Sequence, residues 1–84
     1  MSTRQPDKVI RIGFVSASIF SNDVDHEGGT RKFHSVVIQK RYLEEGKPKY
    51  TSSFSLSELP LAIRVLTLAQ TWVEEREVDV DLSN

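Results

Sequence analysis

The sequence predicts an α+β fold in which an antiparallel sheet of three to four strands is followed by one C-terminal helix. Residues 9–56 contain runs rich in β-branched and aromatic side chains, which alternate between apolar and polar with a period of two. From residue 59 onward the apolar side chains recur at helical spacing. The predicted order is β-β-β-α, with a fourth strand if Gly13 divides the first run.

The chain is short and has no cysteine. Its 84 residues form one domain at most, and disulfides cannot add stability. We divide it into a flexible arm (1–8), a single β-β-β-α domain (9–76) and an acidic tail (77–84). Because so small a core is marginal for a monomer, we expect a homodimer.

Three strands separated by polar turns account for residues 9–56. The first is predicted over 9–22, the second over 31–43 and the third over 49–56, with glycine-containing turns at 23–30 and 44–48. In the second strand Phe33 and Arg41 point to the opposite side from Tyr42. In the third, continued alternation places Tyr50 and Phe54 toward the helix and Lys49 away from it.

The helix is predicted from Leu59 to about Arg76, with Ser57 as N-cap and Pro60 in its first turn. Its apolar side chains form two stripes, more than one contact with a sheet requires. One stripe should cover the sheet, and the other should form a helix-on-helix dimer interface. The first contains Leu59, Ala62, Leu66, Ala69 and Val73. The second, predicted at the dimer interface, contains Leu61, Val65, Leu68 and Trp72.

A single helix covers one face of the sheet, so the other face is left open. Aromatic and cationic side chains are predicted on and beside this open face, together with small polar ones. Rings that stack bases and cations that neutralise phosphates are what single-stranded nucleic acid binding requires. The predicted nucleic-acid-binding residues are Phe14, Phe20, Arg31, Lys32, Phe33, Gln39, Arg41, Lys47 and Lys49.

The net charge of −1 conceals an asymmetry. Residues 74–84 hold five acidic side chains and one basic one, which leaves a net +3 on residues 1–73. The body of the chain is therefore mildly basic and its end acidic. A solubilising role is the simpler interpretation of the acidic end; the alternatives are competition for the basic surface and recruitment of a partner.

Neither catalysis nor a cofactor is expected. No nucleophile motif accompanies the serines and histidines, and no phosphate-loop pattern surrounds Gly28 and Gly29. Asp23, Asp25 and Glu27 lack the spacing of a calcium loop, so we interpret this stretch as a solvated turn and predict no metal site. No signal peptide or membrane-spanning run is present, so we expect a cytoplasmic protein with neither a membrane partner nor a small-molecule substrate.

The order of elements and the junction SFSLSELPLAIRVLTLAQTWVEE resemble the single-stranded DNA-binding transcriptional regulators of the positive cofactor four and Whirly type. The stretch from VSASIF through FHSVVIQKRY to the helix is also similar to a set of small bacterial proteins, most without an assigned function. The first resemblance implies a curved sheet, a homodimer packed through its helices and a single strand lying across the sheet. It favours DNA over RNA, with a role in transcription or replication.

Two alternatives to nucleic acid binding stay open. In the first, the open face or an edge strand receives a protein partner, and Phe14, Phe20 and Phe33 anchor that interface. In the second, the chain is an accessory subunit of an enzyme and has no chemistry of its own.

Overall fold

A computed structural model describes residues 4–78, except for the side chain of His26. The strands are β1 (Lys8–Ile12), β2 (Val15–His26), β3 (Gly29–Glu44) and β4 (Lys47–Thr51). They form one antiparallel sheet in the order β1-β2-β3-β4. A 3-10 turn (Leu56–Glu58) leads into the helix α1 (Leu59–Glu77). The predicted fold class is confirmed, with four strands.

Gly13 is the residue that separates β1 from β2. Its φ of 59° is positive, a conformation that favours glycine, and Ile12 pairs with Val15 across the resulting two-residue turn. The predicted arm at residues 1–8 is therefore too long: Lys8 begins β1, and the Asp7 N–H donates to the Ile19 carbonyl at 2.7 Å. Residues 1–3 lie outside the described part of the chain.

The β3–β4 hairpin closes through Glu45 and Gly46, both with positive φ. The last strand ends at Thr51, earlier than predicted. The chain then leaves the sheet, and the Ser52 hydroxyl donates to the Ile38 carbonyl at 2.9 Å. Phe54 consequently packs against the core from a loop, so its inward orientation says nothing about that of Tyr50.

The helical region begins earlier than predicted. Ser55, not Ser57, precedes the 3-10 turn, and its backbone N–H donates to Glu58 Oε1 at 2.8 Å. Ser57 lies within that turn, and Pro60 occupies the first turn of α1 as expected. At the other end α1 includes Glu77, which we had assigned to the acidic tail. The rest of that tail, from residue 79, lies outside the described residues.

The core lies where α1 crosses the sheet. Val15, Ala17 and Ile19 of β2 are fully buried there. From α1, Val65 and Ala69 join them in one cluster, and Ala62 is buried on the same helix face. Because two of these three helix residues are alanines, the helix can approach the strands closely.

This packing corrects our assignment of the helix stripes. Val65, predicted at a dimer interface, is completely buried inside the chain. Leu61 and Trp72 also pack against the core, and Leu68 is half-buried. The side of α1 that contacts the sheet thus includes residues of both predicted stripes. The alanines of the first stripe lie at the centre of the contact, and residues of the second stripe lie beside them. The large apolar side chains that stay exposed on α1 are Leu59, Ile63 and Leu66.

Within residues 4–78, no helix combines the length and apolar character needed to cross a membrane.

Candidate nucleic-acid interface

The register of the sheet defines which side chains share the face opposite α1, which we call the open face. Residues directly opposite one another in antiparallel strands project to the same side. Ser16 and Ser18, whose neighbours in β2 are buried under α1, therefore identify the open-face rows. The paired open-face residues are Val9, Ser18 and Val37; Arg11, Ser16 and Gln39; Phe20 and Ser35; Asn22 and Phe33; Val24 and Arg31; Arg41 and Tyr50; and Leu43 and Pro48.

Charge is segregated between the two faces of the sheet. The three arginines of the strands, Arg11, Arg31 and Arg41, all lie on the open face. All strand lysines lie on the helix side, namely Lys8, Lys32, Lys40, Lys47 and Lys49. The strand carboxylates Asp23, Asp25 and Glu44 are on the helix side as well. At its paired positions the described open face is therefore cationic and free of carboxylates.

Aromatic rings form two groups on the open face. Phe20 and Phe33 make up the first group, in the β2–β3 hairpin, where the Arg4 guanidinium carbon is 5.4 Å from the centroid of Phe20. The guanidinium carbon of Arg31 is 5.5 Å from the centroid of Phe33. Both distances fall within cation–π range, so each ring is already associated with a cation. Between this group and the β1–β2 turn, the small side chains of Ser18 and Ser35 lie beside the exposed Val9 and Val37.

At the β1–β2 turn, which carries Phe14, the open face forms a concave notch. It has a volume of about 310 Å³ and is lined by Arg11, Gly13, Phe14, Ser16, Arg41, Pro48 and Tyr50. The notch forms where the β1–β2 turn meets β3, since the Arg41 N–H donates to the Phe14 carbonyl at 2.8 Å. Two rings and two guanidinium groups thus line one depression.

The structure separates the predicted binding residues into two groups. Phe14, Phe20, Arg31, Phe33, Gln39 and Arg41 lie on the open face, as expected. The lysines do not: Lys32 is opposite Asp23, Lys47 opposite Glu44 and Lys49 opposite Tyr42, all on the helix side. For Lys32, the sequence already indicated the helix side, because its neighbour Phe33 was predicted on the open face and side chains alternate along a strand. For β4 the turn of Glu45 and Gly46 decides the register, and the expected open-face position of Lys49 is wrong.

Two residues of the open face were not predicted there from the sequence. Tyr50 was predicted to face the helix, but it is opposite Arg41 and 59 % exposed. Arg11 was not considered, because its strand was not separated from β2. Treating Gly13 and Phe14 as a two-residue hairpin turn would have placed Arg11 opposite Ser16 and hence on the open face.

The acidic side chains near the core stabilise the fold on the helix side. Glu58 Oε1 accepts from Lys40 Nζ at 2.5 Å and from the Ser55 N–H, and these hydrogen bonds lower the pKa of Glu58 from 4.5 to about 2.

Within the described residues, no group of His, Asp and Glu is arranged to hold a metal ion.

The open face is thus a candidate interface by its own chemistry. No family model, curated protein or solved structure matches this chain.

Proposed function

We propose that this protein binds single-stranded nucleic acid, DNA in preference to RNA, on the open face and catalyses no reaction. The main observation in favour of this proposal is the segregation of side chains between the two faces of the sheet. Four rings and three arginines share the open face, and its paired strand positions contain no carboxylate. The preference for DNA, and a role in transcription or replication, rest on the resemblance to positive cofactor four and Whirly proteins alone.

Arginine suits this role better than lysine. Its planar guanidinium group stacks on rings and presents paired donors to a phosphate. Base stacking on an aromatic side chain contributes about 1–3 kcal/mol per base. With Phe14, Phe33 and Tyr50 all exposed, several bases can stack on rings that are already in place.

The spacing of the rings sets the length of strand that the open face can hold. Phe14 and Phe20 are six residues apart along the chain, so at roughly 3.4 Å per residue they are about 20 Å apart. At about 3.4 Å per stacked nucleotide, this distance corresponds to about six nucleotides. A stacked strand shorter than this does not reach from Phe14 to Phe20 and should bind more weakly.

Fluorescence anisotropy with a labelled oligonucleotide of about 20 bases tests the proposal. If the three strand arginines each contact a phosphate, the logarithm of the binding constant should fall with the logarithm of salt concentration with a slope of about −2. Absence of binding at about 50 mM salt would refute the proposal.

A pair of variants tests whether the oligonucleotide binds to the open face. Arg41→Gln removes a cation from the open face, whereas Lys49→Gln removes one from the helix side of the adjacent strand. We expect the first to weaken binding about three- to tenfold and to lower the salt dependence, and the second to change little. Equal effects would mean that binding reflects overall charge instead of the open face.

A protein-interaction module is the second candidate. The observation that favours it is the presence of exposed aliphatic side chains among the open-face residues, namely Val9, Val24, Val37 and Leu43. Aliphatic groups bury well against a protein but do not stack on bases as rings do. Under this alternative Phe14, Phe20 and Phe33 anchor a protein partner, and no oligonucleotide binding appears even at low salt.

A further inference from the structure

We propose that the notch at the β1–β2 turn is a subsite for the terminal phosphate of a nucleic acid strand. This inference rests on the proposed function and adds to it a position on the open face where a strand end is held. It assigns Arg11 and Arg41 as the phosphate ligands, with Phe14 and Tyr50 flanking the terminal nucleotide.

The first argument is charge. Neither the Arg11 nor the Arg41 guanidinium group forms a hydrogen bond or an ion pair with any residue in the described range 4–78. Both are therefore available to an anion, and both line the notch. A phosphodiester carries one negative charge, whereas a phosphate monoester carries about 1.5 to 2 at pH 7. Two guanidinium groups match the monoester, which in a nucleic acid strand occurs at an end.

The second argument is distance. Arg11 is level with Gln39 across the sheet, two strand spacings away, and Arg41 is two residues farther along β3. These steps of about 10 Å and about 7 Å place the two Cα atoms roughly 12 Å apart. Arginine side chains can bridge half of that distance each, so both guanidinium groups can reach one phosphate at the centre of the notch.

The third argument is the shape of the site. The turn at Gly13 and Phe14 lies on one side and Pro48 and Tyr50 of β4 on another, so the notch has walls on two sides. Its volume of about 310 Å³ is at the lower end of small-molecule sites. It can therefore hold one nucleotide, not a continuing stack of bases.

The test uses three oligonucleotides of about 12 bases with the same sequence and an internal dye: one with a 5′-phosphate, one with a 3′-phosphate and one with neither. We expect a phosphate at one of the two ends to tighten binding about five- to tenfold near pH 7.5. The advantage should shrink below about pH 6, where the monoester loses its second charge. Equal affinity of all three would overturn the inference and leave the proposed function standing.

Variants localise the effect. Arg11→Gln should weaken the binding of both strands and abolish the advantage of the phosphorylated one, so the ratio of the two affinities is the quantity that tests the inference. The matched control is Lys8→Gln, also in β1 but on the helix side. Retention of the advantage in Arg11→Gln would place the phosphate elsewhere and overturn the inference.

If no oligonucleotide binds, the proposed function fails, and the notch can still be tested alone. NMR titration with a nucleoside 5′-monophosphate, with the nucleoside as control, should shift the side-chain Nε–H signals of Arg11 and Arg41. The absence of such shifts at millimolar ligand would overturn the inference as well.

Discussion

Glu77, in the last turn of α1, contacts His34 of β3 through a single oxygen. Glu77 Oε2 accepts a hydrogen bond from the His34 backbone N–H and lies 2.7 Å from His34 Nδ1. The His34 side chain is only 4 % exposed, and its ring meets Trp72 edge-on at 5.6 Å. The end of the helix is therefore attached to β3, the strand beside the buried centre on β2.

Replacing Glu77 should destabilise the fold. Glu77→Ala leaves the backbone N–H and ring nitrogen of His34 without their acceptor, and each unsatisfied buried group costs about 1–3 kcal/mol. Glu75→Ala is the control, because Glu75 is exposed and, among residues 4–78, its only ion pair is with Arg76, at 3.6 Å. Urea denaturation followed by circular dichroism measures both. Similar losses in the two variants would show that the contact with His34 contributes little.

The helix face in contact with the sheet can be tested by truncating Val65. Val65→Ala removes two methyl groups from a fully buried position and should lower the free energy of unfolding by about 2 kcal/mol. Arg64→Ala, one position earlier and exposed, should change it by less than about 0.5 kcal/mol. A small effect of Val65→Ala on the free energy of unfolding would contradict the burial of Val65 in the core and favour its predicted position at a dimer interface.

The ion pair of Glu58 and Lys40 makes stability depend on acid pH. Because the folded-state pKa of Glu58 is lowered from 4.5 to about 2, its contribution is complete above pH 4.5 and is lost as the pH falls toward 2. Glu58→Gln should therefore flatten the decline in stability between these values. Thermal denaturation from pH 2 to pH 6 measures it, with Glu75→Gln as control. An unchanged pH profile in Glu58→Gln would contradict the assignment.

The positive φ of Gly13 should make this position intolerant of side chains. Its φ is 59°, and an alanine there costs about 1–2 kcal/mol even though the nearest atom to an added Cβ, Leu61 Cδ2, is 3.9 Å away. Gly28→Ala is the control, since no positive φ and no close atom occur there. Thermal denaturation compares the two. Because the turn carries Phe14, Gly13→Ala should also weaken oligonucleotide binding.

We expect homodimerisation to use the exposed residues of α1, not the stripe that the sequence indicated. Leu59, Ile63 and Leu66 are the large apolar side chains that the sheet does not cover. Sedimentation equilibrium should show a dimer, and Ile63→Asp should convert it to a monomer with an unchanged circular dichroism spectrum. A wild-type chain that stays monomeric at about 100 μM would refute this prediction.

Within a single strand, the sequence was sufficient to predict orientation. In β2 the alternation of apolar and small polar residues separates Val15, Ala17 and Ile19, which are buried, from Ser16 and Ser18. In β3 it separated Phe33 and Arg41 from Tyr42 in the same way. Strand geometry imposes this period of two on any extended chain, so no tertiary information is needed.

Between elements, the sequence was not sufficient. The face of Tyr50 and Lys49 depends on how the turn at Glu45 and Gly46 sets the register of β4, and on where the chain leaves the sheet. The sheet-facing side of α1 depends on Ala62 and Ala69, whose small size lets the helix approach. The apolar periodicity of the helix alone does not distinguish these alanines from the leucines as contacts with the sheet.

The sequence by itself thus determined the element types, their order and the alternation inside each strand, because these follow from local backbone geometry. Only the tertiary structure decided that Arg11 lies on the open face with Arg31 and Arg41, and that Lys47 and Lys49 lie on the helix side. Register and helix placement are set by turns and by packing between distant residues, and a shift of one position reverses every side chain of a strand.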